Sequence, residues 1–337
     1  MNYDELLQKS NALRLKTPRA RYAPSPTGPL HLGNVRTALL AWLQARLVGG
    51  VFIMRNEDLD TNRVIEGSAG RIYEDLRWLG LDWDEGEDVG GPVGSYVQSE
   101  RTALYREALD RLRALRHDGH PAVFRCYCSR RDVREAASAP HQYGRLIYPG
   151  TCRGLSEAEE DAVREEKPDR IPIWRFWMPR RRVCVQDEVA GEFCQQLDEE
   201  VGDFVLRRAD DLFAYQLAVV VDDALMGVTD VLRGRDLLSS TPRQIALFEA
   251  LGFAVPTFWH VPLMRDESGE RMSKREESLS LQTLRANGKT PDQVVGRLAH
   301  SIGLAAPGER ISAQDLLGRL SLDDFKDALR RASDSDK

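Results

Sequence analysis

The hexapeptide Pro24-Ser25-Pro26-Thr27-Gly28-Pro29 constrains this chain more than any other stretch. Its prolines lack the N–H that a helix interior or a central strand uses, so regular structure must stop on one side and restart on the other. Before it, residues 19–23 have strand character. After it, Val35, Leu39, Trp42, Leu43 and Leu47 recur at helical spacing from about Asn34, until Gly49-Gly50 ends the pattern. Val51–Met54 then reads as a buried strand, and helical patterns follow at 67–79 and 100–115. Strand, helix, strand, helix in this order predicts an α/β chain with a Rossmann-type parallel sheet.

Further along, residues 126–152 are irregular and rich in Cys, Arg, Tyr, Pro and Gly, which marks an insertion. A charged helix is expected at 156–166. Strands are expected at 171–177, 183–185, 204–208 and 213–221, with Ala209-Asp210-Asp211 as a turn. A helix at 242–251 has Ser240 or Thr241 as its cap, Pro242 in its first turn and Gly252 after its end. A strand at 259–263 and a turn around Gly269 lead into a helical region running to about Arg331. The expected organisation is an N-terminal extension (1–18), a first half of the parallel-sheet domain (19–125), an insertion with a small subdomain (126–200), a second half (201–265), and a loop with a short helical C-terminal region (266–337).

At 337 residues, with 42% of them hydrophobic, a sizeable core is available. The net charge of -6 argues against a uniformly basic nucleic-acid binder but not against a local basic groove. Five cysteines, an odd number, do not read as a disulfide framework, and Cys184 and Cys194 are expected as core residues or free thiols in strands. Residues 1–17 hold no apolar signal-peptide core, and no apolar run approaches the roughly eighteen residues of a spanning helix. No membrane association, a cytoplasmic location and a monomer are the expectations.

Two motifs carry phosphate chemistry. In the first, the proline run leads into His31-Leu32-Gly33-Asn34 at a helix start. There, backbone N–H groups and the positive end of the helix dipole face an anion. Gly33 leaves room for a nucleotide against the backbone, and His31 can donate to phosphate oxygens. In the second, Arg271-Met272-Ser273-Lys274-Arg275 sets three cations around a hydroxyl, suited to stabilising charge on a phosphorus undergoing displacement. The bland readings are a proline-rich turn and a solvated basic loop. Their occurrence together, in this order, is far more specific than either alone.

These segments resemble the two consensus sequences of class I aminoacyl-tRNA synthetases, with arginine in place of the usual first lysine of the second. Other blocks narrow the likeness to the glutamyl-tRNA synthetase-like family, in particular its glutamyl-queuosine tRNA(Asp) branch. Arg21-Tyr22-Ala23-Pro24-Ser25 resembles the family's Arg-Phe-Ala-Pro-Ser. Arg55-Asn56-Glu57-Asp58-Leu59-Asp60 resembles its Arg-Ile-Glu-Asp run. Tyr215-Gln216-Leu217-Ala218-Val219-Val220-Val221-Asp222-Asp223 and Val231-Leu232-Arg233-Gly234-Arg235-Asp236 match two further blocks.

The resemblance implies that Arg21, Ser25, Glu57, Tyr215 and Arg233 hold L-glutamate, Arg21 through its γ-carboxylate and Glu57 through its amino group, with Arg233 a second arginine near the substrate. It implies that His31, Gly33, Asn34 and Lys274 bind ATP, with His31 and Lys274 catalytic and Mg2+ accompanying the nucleotide. Cys126, Cys128 and Cys152 have metal-ligand spacing. The resemblance adds Tyr148 as the fourth ligand of one structural Zn2+, with His141 and Tyr143 as substitutes. Few residues follow Arg275, too few for a large helical anticodon-binding region, so the implied acceptor is tRNA(Asp) carrying queuosine. The rivals are a truncated synthetase charging a tRNA 3′ end and a non-catalytic RNA-binding paralogue.

Overall fold

The computed structural model describes residues 1–117, 119–136, 147–264 and 280–334. Helix α1 (Tyr3–Arg14) precedes strand β1 (Arg19–Tyr22), helix α2 (Leu32–Leu47), strand β2 (Val51–Met54) and helices α3 (Ser68–Trp78) and α4 (Thr102–Ala114). Then come β3 (Arg116–His117), β4 (His120–Pro121), β5 (Val123–Cys126), α5 (Arg130–Ala136), α6 (Glu157–Glu166), β6 (Ile173–Phe176), β7 (Arg182–Asp187), β8 (Gly191–Gln196) and β9 (Phe204–Arg207). Helix α7 (Tyr215–Leu225), β10 (Asp230–Gly234), α8 (Thr241–Ala250) and β11 (Thr257–Val261) follow, and the helices Leu281–Ala286, Pro291–His300, Ala313–Gly318 and Leu322–Asp334 complete the described chain.

The central sheet has the order β11-β10-β1-β2, and all its pairings are parallel. Strand β1 is followed through α2 by β2 on one side, while β10 arrives on the other side after the whole middle segment. The direction of winding therefore reverses between β1 and β10. In open parallel sheets the crevice at the carboxyl ends of the strands at such a reversal is where ligands bind.

Both faces of the sheet are buried, and alternation along the strands sorts the side chains. Ala20, Tyr22, Phe52, Met54, Leu232, Trp259 and Val261 join a core with α2, α3 and the C-terminal helices. Ile53, Val231 and Phe258 join a second core with α1, α4, α7 and α8. Extending that period of two, Arg21, Arg55, Arg233 and His260 belong to the second face. Helix α2 is buried almost all round, with Trp42 fully enclosed, because it lies between the sheet and the C-terminal helices.

The middle segment forms an antiparallel sheet β5-β6-β9 and a hairpin β7-β8. A small separate core gathers Phe124, Cys126, Tyr127, Val133, Tyr148 and Cys152.

Two expectations are corrected. Residues 213–221 were expected as a strand, yet Tyr215 to Leu225 form helix α7. The apolar run Leu217–Val221 is buried on every side, and such a run cannot be told from a buried helix by periodicity alone. Cys184 and Cys194 are not free thiols but form a disulfide with Cα atoms 4.0 Å apart. They stand directly opposite each other in the β7-β8 register, a relation that becomes visible only once the hairpin is paired. The turn around Gly269 and the Arg271-to-Arg275 motif lie outside the described residues.

Candidate functional site

A cavity of about 470 Å³ opens at the carboxyl ends of β1 and β10. Arg21, Ser25, His31, Gly33, Asn34, Glu57, Tyr215 and Arg233 all line it. The site residues proposed from five sequence blocks thus share one space; Lys274 lies outside the described residues.

The proline run turns the chain from β1 into α2 and sets His31 as the residue before the helix. His31 makes no side-chain capping bond and is exposed to the cavity. Among the described residues, a Cβ added at Gly33 would meet no atom outside its own helix backbone and chain neighbours closer than Met264, at 4.0 Å. Protein packing therefore does not require glycine there, and the missing side chain leaves its space to the cavity. An exposed helix N-terminus beside a glycine wall is a fitting place for the phosphates of a nucleotide.

The floor is a buried ionic network. Asp223 of α7 accepts from Arg55 Nη1 at 2.7 Å and from Arg21 Nε at 3.3 Å. Arg55 also donates to Glu57 at 3.0 Å. Neighbouring Asp222 accepts from Gln98 at 2.8 Å, Arg101 at 2.6 Å and Tyr105 at 2.9 Å. Burial works against the charge on Asp223, but Arg55 and Arg21 outweigh it and hold the carboxyl below its ordinary range. For Glu57 burial wins over the same two arginines, and its pKa is raised. Arg21 is therefore partly engaged by a carboxylate of the protein itself, although it still borders the cavity. Tyr215, the first residue of α7, is 36% exposed at the rim and is not a core residue.

Arg233 is only 4% exposed and is held from behind. Its Nε donates to His260 Nε2 at 2.9 Å, and Nη2 donates to Thr241 Oγ1 at 2.9 Å. Nη1 is buried with no hydrogen-bond partner among the described residues. A buried orphan donor is costly, and Arg233 borders the cavity, where a ligand acceptor could relieve it. His260 Nδ1 lies 2.5 Å from Asp187 Oδ2, which ties β11 to the end of β7.

Sequence reading missed the supporting roles of Arg55, Asp222, Asp223, His260 and Asp187. For the aspartates the available signal was a pair of carboxylates closing the apolar run Leu217–Val221, since carboxylates buried among apolar residues need partners. The strand-to-strand relation of Asp187, His260 and Arg233 has no local signature.

The thiols of Cys126, Cys128 and Cys152 lie within 4.8 Å of one another. Cys128 and Cys152 sulfurs are 3.7 Å apart, and the Tyr148 hydroxyl is 3.3 Å from Cys126 and 3.8 Å from Cys128. Sulfurs about 2.3 Å from a tetrahedral zinc stand about 3.7 Å apart, so this donor set fits such an ion. The guanidinium of Arg175 lies over the Tyr148 ring, 4.1 Å from its centre.

The tRNA synthetases class I (E and Q), catalytic domain, match residues 18–311. A protein of Symbiobacterium thermophilum named Glutamyl-Q tRNA(Asp) synthetase is 51% identical over 300 residues, covering 88% of this chain and 90% of that one. A Glutamate--tRNA ligase of Desulfitobacterium hafniense is 42% identical, covering 86% of this chain and 58% of that one. The crystal structure of a glutamate-tRNA synthetase from Elizabethkingia anophelis superposes with a TM-score of 0.77 at 30% identity, over 92% of this chain and 66% of that one. The chain belongs to the class I tRNA synthetases of the E and Q type, in the branch of the Glutamyl-Q tRNA(Asp) synthetases.

Proposed function

We propose that the chain activates L-glutamate with ATP and transfers the glutamyl group to queuosine at the wobble position of tRNA(Asp). The observation that carries this reading is one cavity that brings together Arg233, Arg21, Glu57 and a helix N-terminus. A guanidinium matches a carboxylate in shape and charge, and Glu57 offers an anion to the substrate ammonium. The likeness to a Glutamyl-Q tRNA(Asp) synthetase, over nearly the whole of both chains, supports the choice of acceptor.

In the first step an α-carboxylate oxygen of glutamate attacks the α-phosphorus of ATP, the bond to the bridging oxygen breaks, and pyrophosphate leaves. His31 and the first turn of α2 hold the phosphates, Gly33 admits the nucleotide, and Lys274 is assigned to charge that develops on the leaving group. Magnesium entering with ATP offsets phosphate charge. In the second step a cyclopentene-diol hydroxyl of queuosine attacks the acyl carbon, and AMP leaves. Cys126, Cys128, Tyr148 and Cys152 would hold one zinc ion as a closed, structural site that takes no part in the transfer.

The test is to charge tRNA(Asp) with labelled glutamate and cleave the product with nuclease. Label in the anticodon stem-loop fragment supports the reading. Label on the terminal adenosine makes the chain a conventional charging enzyme, and absence of any glutamate-dependent ATP–pyrophosphate exchange makes it a non-catalytic relative.

A further inference from the structure

Behind the cavity runs a line of buried polar groups from three strands and a helix. Asp187 ends β7, His260 lies in β11, Arg233 in β10 and Thr241 opens α8. Their exposures are 6%, 0%, 4% and 0%. Each contact has a defined direction. Asp187 Oδ1 accepts from the backbone amides of His260, Val189 and Ala190 at 3.0, 3.0 and 2.8 Å. That leaves Oδ2 to face His260 Nδ1. A carboxylate can only accept, so the ring proton sits on Nδ1 and Nε2 carries the free lone pair. That lone pair is what Arg233 Nε–H requires. The hydroxyl of Thr241 accepts from Arg233 Nη2 and lies 3.2 Å from His260 Nε2, so it can donate there. With Nε and Nη2 anchored, the guanidinium plane is fixed; Nη1 is buried without a hydrogen-bond partner among the described residues, and the residue borders the cavity.

We propose that Asp187 and His260 are positioning residues for amino-acid binding: together they select the histidine tautomer that orients Arg233 toward the substrate carboxylate. The inference rests on the reading above that Arg233 contacts glutamate. A second-layer pair that fixes an arginine's plane lowers the entropy lost when a planar, bidentate contact forms. Neither residue touches the substrate, so their effect falls on glutamate affinity rather than on ATP.

Asp187→Asn is the decisive variant. The side-chain oxygen can keep its three amide partners, while the new NH2 donates to Nδ1. The ring proton must then move to Nε2, where it meets Arg233 Nε–H donor to donor. In glutamate-dependent ATP–pyrophosphate exchange with the full chain, the KM for glutamate should rise at least tenfold. The KM for ATP should stay within twofold and kcat should change less than the KM for glutamate. Histidine 15N NMR should show His260 protonated on Nδ1 in the wild type and on Nε2 in the variant. In His260→Gln the amide oxygen takes the place of Nε2 and accepts from Arg233 whatever Asp187 does. Adding Asp187→Asn to that background should therefore leave the glutamate KM unchanged within twofold, a non-additivity that a purely structural role of Asp187 would not produce.

An unchanged glutamate KM in folded Asp187→Asn, or an equal loss in both backgrounds, overturns the proposal. If Asp187→Asn does not fold, His260→Asn against His260→Gln decides. The shorter side chain cannot reach Arg233 and must be the worse of the two, and equal values refute the pair. Wild-type exchange that ignores glutamate would refute the functional reading itself, whereas normal wild-type exchange with indifferent variants refutes only the positioning pair.

Discussion

The charges around the cavity are arranged so that Arg21 can be removed without leaving a buried ion alone. Asp223 keeps Arg55 at 2.7 Å when Arg21 is lost, so Arg21→Ala should fold. It should lower kcat/KM for glutamate at least a hundredfold in pyrophosphate exchange, while calorimetry with a non-hydrolysable ATP analogue gives nearly the wild-type affinity. Joint loss of both would assign Arg21 to folding. Acid stability is set by other groups. Burial, helped by the charges of Arg233 and Arg21, pulls the pKa of His260 below its ordinary value near 6.5, and the bond to Asp187 only partly offsets this. Below about pH 6.5 the unfolded chain therefore takes up a proton that the folded chain resists. This contribution is complete above that pH and shrinks as pH falls toward the folded value. Asp187 adds a second loss at lower pH. Burial opposes its charge, but hydrogen bonds from His260 and nearby amides hold its carboxyl below the usual range. Thermal melting across pH 4 to 8 should show the midpoint falling below about pH 6.5, with the first part of that fall flattened in His260→Gln.

At the scale of elements, what the sequence revealed depended on whether the deciding interactions were local. The proline run announced the turn from β1 into α2 because prolines act on their own backbone. The four-residue apolar run Val51–Met54 marked β2. Helix α7 was misread because its character comes from being packed on all sides, which no window of sequence contains. The site residues facing the cavity were legible through their motifs. Asp187 and His260 were not, since they meet only through the pairing of β11 with β10 and the docking of the β7-β8 hairpin. The cysteine cluster lies between these cases, with its spacing visible but its small core, built around Phe124 and Tyr148, not. Such a core is too slight to hold the segment rigid alone, so a bound ion would supply much of its stability. Cys126→Ser should lose zinc by metal analysis and lower the melting midpoint, with pyrophosphate exchange reduced less than tenfold. A variant that retains a full equivalent of zinc would exclude Cys126 as a ligand.

For the molecule as a whole, α1 braces the cavity from behind. Tyr3 and Leu6 enter the core that surrounds α7, and Ser10 donates to the carbonyl of Leu225 at the end of that helix. Gly227 lies so close beneath that a Cβ would approach the Ser10 carbonyl oxygen to 2.6 Å. No described helix is long and apolar enough to cross a membrane. The feature with the widest reach is the reversal of winding between β1 and β10. Arg21 and Arg233 stand side by side in space although nearly the whole ordered middle of the chain runs between them. A ligand gripped by both would act as a rivet across the seam between β1 and β10, so it would recognise molecules in which that seam has formed. Glutamate at a hundred times its dissociation constant should therefore add about 2.7 kcal/mol to global unfolding. Fragments ending before Asp230 should gain nothing from it, which would make the free amino acid a reporter of the pairing of β1 with β10.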